Sequence, residues 1–333
     1  LPVGPPATRY ARNGAVSIAY QVIGSAPLDL VVIPGFVSHL ESSWEHPRYA
    51  TFLRRLASFA RVILIDRRGT GLSDRMREGL SLDEQVDDVC AVLDAVGVDR
   101  AAIFGISGGG VLGAALAALR PERVRALCVH GCAARTLAGP DFPEGLPTAA
   151  YEGLLAQVRE SWGGPLFIEG GAPSLAGDAE FREWWSRYLR AGASPGAAEL
   201  VLRHLLETDI RELLPTIAAP TLVLHRSGDA LVPTASGRAM AAAIPAARFV
   251  ELDGIDHLPM AGDADAVVAA VHDFLREPPP PASEAHGLTT ILAAGDKVPP
   301  QLFSLATASE RRIAGDADAR VAELGSVVAA INA

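Results

Sequence analysis

The hydrophobic positions fall into short apolar runs, separated by longer stretches in which apolar residues recur at helical spacing. Residues 16–23 and 30–33 are strand-length runs, followed by 61–65, 101–104 and 125–129. Between them, residues 47–58 and 82–96 carry the 3.6-residue period of amphipathic helices, and an apolar helical run, 111–119, follows the fourth of these runs. The pattern resumes with strand runs at 221–225 and 248–252 and helical runs at 234–243 and 265–275. Strands alternating with helices through short connections predict a mostly parallel sheet covered on both faces. Local chemistry supports two of the boundaries. Ser81 with Glu84 three residues on is a capping box at a helix start, and Pro121 ends the helix behind residue 120.

Residues 133–214 break this alternation. The stretch opens with Gly139, Pro140, Pro143, Gly145 and Pro147, then turns helical at 151–160, 179–189 and 197–207. It divides the alternating pattern into a first part, 1–132, and a second part, 215–277. Three of the four tryptophans, Trp162, Trp184 and Trp185, lie in it. They pack the helices together or form an aromatic wall of a pocket. Pro278 to Pro281 then mark a stiff linker. Beyond it, 288–293 reads as a short strand and 301–330 as mainly helical. That tail, 278–333, is expected to pack or to mediate a homo-oligomer contact.

Composition narrows the class. A chain of 333 residues with 49% hydrophobic and 20% charged residues fills a core and is not a disordered chain. The net charge of −10 offers no electrostatic footprint for nucleic acid or an anionic membrane. No run reaches the roughly 18 apolar residues of a membrane span. The N-terminus, from Leu1 to Pro6, lacks the regions of a signal peptide. Cys90, Cys128 and Cys132 cannot all pair and lack metal-ligand spacing, which predicts small core residues in a reducing cytoplasm.

The candidate chemistry lies at the ends of the strand runs. Gly105-Ile106-Ser107-Gly108-Gly109 joins the apolar run 101–104 to the helical run behind it. Strand, G-x-S-x-G and helix together form a nucleophile elbow: the serine needs a strained turn, and its neighbours need almost no side chain. Asp229 ends a turn after the run 221–225, and His257 follows the run 248–252. Each sits past the carboxyl end of a strand, where open α/β sheets bind ligands. Ser, Asp, His is also the chain order that goes with this elbow. His257 would serve as base to Ser107, and Asp229 would fix its tautomer. Among the other histidines, His225 within a strand run and His272 on a helix read as structural. Asp253 and Asp256 read as turn residues.

Two backbone N–H groups are needed for an oxyanion: Gly108, next to the nucleophile, and Phe36 in the loop Pro34-Gly35-Phe36. His39 and Glu41 either line the pocket or shape that loop. Asp66-Arg67-Arg68-Gly69-Thr70-Gly71-Leu72-Ser73-Asp74 lacks the Lys-Ser/Thr of a phosphate loop and reads as a turn that braces the active-site loops. No metal-ligand cluster or dinucleotide fingerprint appears, so no metal and no cofactor are expected.

These motifs resemble the α/β-hydrolase fold from about Arg9 to about Glu277. Three phrases, Val32 to Glu41, Asp66 to Asp74 and Pro220 to Asp229, are similar to the hydrolase-like N-terminal domains of some actinobacterial class III adenylate/guanylate cyclases. The resemblance implies that residues 133–214 form a cap over the nucleophile. In such cyclases a cyclase domain would begin near Leu288 to Asp296, but the residues that follow depart from that pattern and are too few to form one. The expected activity is hydrolysis of carboxylic esters or lactones through an acyl-enzyme, on a small-molecule substrate. C–C bond hydrolysis, perhydrolysis, or ligand sensing without turnover are the alternatives.

Overall fold

A computed structural model of the protein describes residues 5–75, 80–143, 145–277, 288–290 and 322–324. Eight strands form one sheet: β1 (Arg9–Asn13), β2 (Val16–Ile23), β3 (Asp29–Ile33), β4 (Arg61–Ile65), β5 (Ala101–Ile106), β6 (Val124–His130), β7 (Thr221–Arg226) and β8 (Arg248–Leu252). The spatial order is β1-β2-β4-β3-β5-β6-β7-β8. β2 is antiparallel to both β1 and β4, and every pair from β4 to β8 is parallel. This is the mostly parallel sheet that the alternation predicts.

The two-residue period of the strands sorts side chains to the two faces. Leu30 and Val32 of β3, with Ala102 and Phe104 of β5, join one core cluster, and Val31, Ile33 and Ile103 join the other. The first face is covered by α1 (Pro47–Leu56) and α9 (Ala264–Arg276), which supply Phe52, Leu53, Val267 and Val271. The second is covered by α2 (Leu82–Ala95), α3 (Gly108–Leu119) and α8 (Thr234–Ala243). The expected capping box forms at α2, where the Glu84 N–H donates to Ser81 Oγ at 3.2 Å and the Ser81 N–H to Glu84 at 2.8 Å.

Between β6 and β7 the chain inserts α4 (Thr148–Ser161), the single turn α5 (Ile168–Gly171), α6 (Ala179–Gly192) and α7 (Pro195–Glu207). Asp178 and Ser194 accept N–H groups at the starts of α6 and α7. The aromatic face of α6, with Phe181, Trp184, Trp185 and Tyr188, is buried.

Two expectations change. β1 is absent from the periodic reading because only its central residue, Ala11, points inward. Its position comes from pairing with β2 across the Gly14-Ala15 turn, where Gly14 has φ +58°. In the tail, a strand β9 (Leu288–Thr290) pairs antiparallel with β10 (Ala322–Leu324). The second of these falls where helix is expected: strand pairing overrides a weak local preference for helix. The rest of the expected tail helix, and the proposed oligomer contact, lie outside the described residues. Leu1–Glu277 and Pro278–Ala333 form separate compact units. No helix among the described residues is long and apolar enough to cross a membrane.

Candidate active site

Ser107 stands between the buried strand β5 and the first turn of α3, with φ 52° and ψ −125°. A non-glycine residue in this region is strained and persists only where its surroundings force it. The flanking glycines are required by contact. A Cβ on Gly105 would stand 2.5 Å from the Gly109 carbonyl oxygen, and one on Gly109 would stand 2.5 Å from that of Pro34. The Ser107 N–H is held by the His130 carbonyl at 2.8 Å. Gly108, as the first residue of α3, has an N–H with no intrahelical partner.

Asp229 follows β7 and is buried. Its Oδ1 accepts the N–H groups of Leu231 (2.9 Å) and Val232 (3.0 Å), and its Oδ2 faces His257 Nδ1 at 2.7 Å. Burial by itself would raise the carboxyl pKa. The hydrogen bonds from His225 and His257, the imidazole charge and the Val232 N–H outweigh it, and the group stays well below the ordinary carboxylate value. Asp229 is therefore the anion that keeps the proton of His257 on Nδ1. The other ring nitrogen, Nε2, is buried without a partner. Close approach to this pair requires glycine at position 131. There φ is +60°, and a Cβ would lie 2.8 Å from His257 Cε1.

The loop that carries His257 is anchored by groups the sequence does not mark as functional. Arg226, fully buried at the end of β7, donates to the carbonyls of Asp256, Leu258, Pro259, Ala261 and Asp263 at 2.7–3.3 Å. His130, also fully buried, donates from Nε2 to the His257 carbonyl at 3.1 Å. Burial first, then the Arg226 charge, pushes its pKa down to about 3, so its ring is neutral. The inserted helices hold the loop from the other side: the Leu258 N–H donates to Gly171, and the Ser174 N–H to the buried Asp256 carboxylate. One signal is available for His130, which like Ser107 lies just past an apolar strand run in the sequence.

Ser107 and His257 line one cavity of about 480 Å³, walled mainly by apolar side chains from the sheet ends and the inserted helices, among them Phe167, Leu205, Leu231 and Met260. This arrangement offers what nucleophilic catalysis needs: a strained, accessible serine, a histidine oriented by a carboxylate, and a free backbone donor beside the serine at Gly108.

A family model described as the alpha/beta hydrolase fold matches residues 30–263. The chain belongs to the α/β-hydrolase fold family. Among relatives, a pimeloyl-(acyl-carrier protein) methyl ester esterase of Xanthomonas campestris pv. campestris (strain B100) is 31% identical over 262 residues, covering 76% of this chain and 97% of its own. The solved enol-lactonase from Burkholderia xenovorans LB400 aligns with a TM-score of 0.68 at 25% identity, over 81% of this chain and 100% of that one. The bromoperoxidase from Bacillus anthracis aligns with a TM-score of 0.72 at 26% identity, with the same coverage.

Within this α/β-hydrolase, Phe36, Gly108 and Trp185 line the cavity with Ser107 and His257. His39, Trp162 and Trp184 do not. His39 Nδ1 accepts the Ser42 N–H at 3.2 Å and so shapes its own loop. Trp184 donates to the Ser42 carbonyl at 3.0 Å and packs among His46, Tyr49 and Tyr188. Trp162 donates to the Ala193 carbonyl and meets the Phe36 ring edge-on at 6.0 Å, one layer behind the cavity wall. Neighbouring tryptophans on one helix thus part company, because α6 points them about 100° apart.

Proposed function

We propose that the chain is a serine hydrolase of carboxylic esters or lactones that works through an acyl-enzyme on Ser107. The observation that carries this reading is the state of His257. Nδ1 is bonded to Asp229, Nε2 is buried and unpartnered, and the residue shares a cavity with Ser107. In this reading, His257 Nε2 takes the Ser107 proton as Oγ attacks the ester carbonyl, then gives it to the leaving alcohol. A water, deprotonated by the same nitrogen, releases the acid. The N–H groups of Phe36 and Gly108 hold the oxyanion in both steps.

The inserted helices 133–214 act as a cap, and their apolar contribution to the cavity supports uncharged acyl chains of medium length. Arg135 reaches the lining but is already paired with Asp141 and Asp209, so it offers no free charge to an anionic substrate. The esterase relative, named for an acyl methyl ester, supports the same class. Unpaired thiols at Cys90, Cys128 and Cys132 fit a reducing cytoplasm. The phrases similar to cyclase-linked domains support a ligand-sensing module as an alternative, against which the complete Ser-His-Asp set weighs. Likeness to a bromoperoxidase supports a second use of the acyl-enzyme, in which hydrogen peroxide replaces water and releases a peracid.

Labelling with a fluorophosphonate, followed by a panel of esters of increasing acyl length, tests the reading. Ser107→Ala is expected to abolish labelling and to lower kcat by about a thousandfold or more, with the unfolding midpoint unchanged. Near-wild-type turnover by the purified variant would sink it.

A further inference from the structure

The turn after β4 does more than link two elements. Asp66, fully buried, accepts from Ser38 Oγ at 2.7 Å, from the Leu40 N–H at 3.1 Å and from the Leu72 N–H at 2.9 Å. The next residue, Arg67, donates from Nη2 to the carbonyl of Gly35 and, at 3.1 Å, to that of Phe36. Two consecutive side chains thus grip both ends of the loop that follows β3. Arg67 is 8% exposed, and its Nε finds no partner. Among the described residues it makes no ion pair, so two carbonyl dipoles are its main compensation. Burial lowers its pKa to about 10, which leaves it charged at neutral pH. A buried cation without a counter-ion is unfavourable for folding, and such a group beside a reaction site points to a role there.

We propose that Arg67 is a positioning residue of the oxyanion hole, orienting and polarising the Gly35–Phe36 peptide so that the Phe36 N–H faces the oxyanion formed on Ser107. This rests on the serine-hydrolase reading above. Gly35 lies against the nucleophile, since a Cβ there would stand 3.1 Å from Ser107 Cβ. The peptide bond is trans, so its C=O and N–H point in opposite directions. Holding the Gly35 carbonyl on the Arg67 side turns the Phe36 N–H the other way. Donation to that carbonyl also makes the same peptide's N–H a stronger donor. The second bond, to the Phe36 carbonyl, stops the following peptide from rotating. The Phe36 ring is itself held by edge contacts with Trp162 at 6.0 Å and Phe167 at 5.9 Å. A planar guanidinium spans two carbonyls, whereas a lysine ammonium offers a single point of donation on a flexible stem.

The test compares an ester with its thionoester, whose developing anion sits on sulfur and draws less from N–H donors. The ratio of the two rates reports on the oxyanion hole and does not depend on how much protein is folded. In Arg67→Met, kcat for the ester is expected to fall about 10- to 100-fold, short of the roughly 10²–10³ for outright loss of a donor. KM should stay within about threefold, as for an interaction made only in the transition state. The ester-to-thionoester ratio should fall at least about tenfold, with Arg67→Lys between the two. A wild-type ratio in Arg67→Met overturns the inference, whatever happens to kcat. Should Arg67→Met not yield protein, a wild-type ratio in Arg67→Lys overturns it instead. Wild-type protein with no ester turnover and an unlabelled Ser107 overturns the serine-hydrolase reading and this inference together. Active, labelled wild type with an unchanged variant ratio overturns this inference alone.

Discussion

His257 is held at two of its own atoms, by a carboxylate at Nδ1 and an imidazole at its carbonyl, and a buried cation fixes the carbonyls of the loop around it. Of these, His130 has a measurable signature in pH. Its pKa lies at about 3 in the fold against an ordinary 6.5, so between those values the unfolded chain binds the proton and the folded chain does not. The stability it contributes is complete above pH 6.5 and falls by about 1.4 kcal/mol for each unit below. His46 and His204, also lowered by burial, act in the same direction, and a single-site comparison removes them. His130→Gln keeps a donor for the His257 carbonyl but cannot titrate. Its loss of unfolding free energy between pH 7 and pH 5, read by urea denaturation, should be smaller than wild type by roughly 2 kcal/mol. Equal losses would show that His130 is charged in the fold.

At the scale of elements, the loop from Asp256 to Asp263 takes its shape from Arg226, because five of its carbonyls converge on one guanidinium. Lysine cannot reach five acceptors from a single nitrogen. Arg226→Lys should therefore destabilise the protein by roughly 3–5 kcal/mol in urea unfolding and lower kcat along with it. A change under about 1 kcal/mol would mean the loop holds itself. Helix α6 separates helix packing from cavity lining in adjacent residues. Trp184→Ala should cost roughly 3–5 kcal/mol of stability and leave acyl-length preference unchanged. Trp185→Ala opens the cavity wall, so the preferred chain in an ester panel should lengthen. The opposite assignment of effects would contradict their placement.

For the whole molecule, every residue of the candidate site lies within the unit Leu1–Glu277. A chain ending at Glu277 is accordingly expected to keep its unfolding midpoint and its kcat/KM within about twofold, a difference below 0.5 kcal/mol. Folded but inactive truncated protein would show that the tail shapes the site. Sequence reading recovers most of the core at this scale, since β2, β4, β8 and α8 match the periodic pattern residue for residue. It misses β1, whose outer face is solvent and whose pattern is correspondingly thin, and it assigns helix where β10 pairs with β9.

The alternation of apolar runs, the glycines around Ser107 and the chain order of Ser107, Asp229 and His257 are local or one-dimensional facts, and they suffice to specify the fold and to single out the candidate site. Backbone sterics and side-chain periodicity act over a few residues, so the chain displays them directly. Only the tertiary structure decides that Trp185 lines the cavity while Trp184 does not, that Arg226 organises the histidine loop, and that Arg67 grips the loop of Phe36. These assignments depend on contacts between residues some 30 to 140 positions apart. A buried arginine looks like any other of this chain's arginines until the fold removes its water and gives it carbonyls instead.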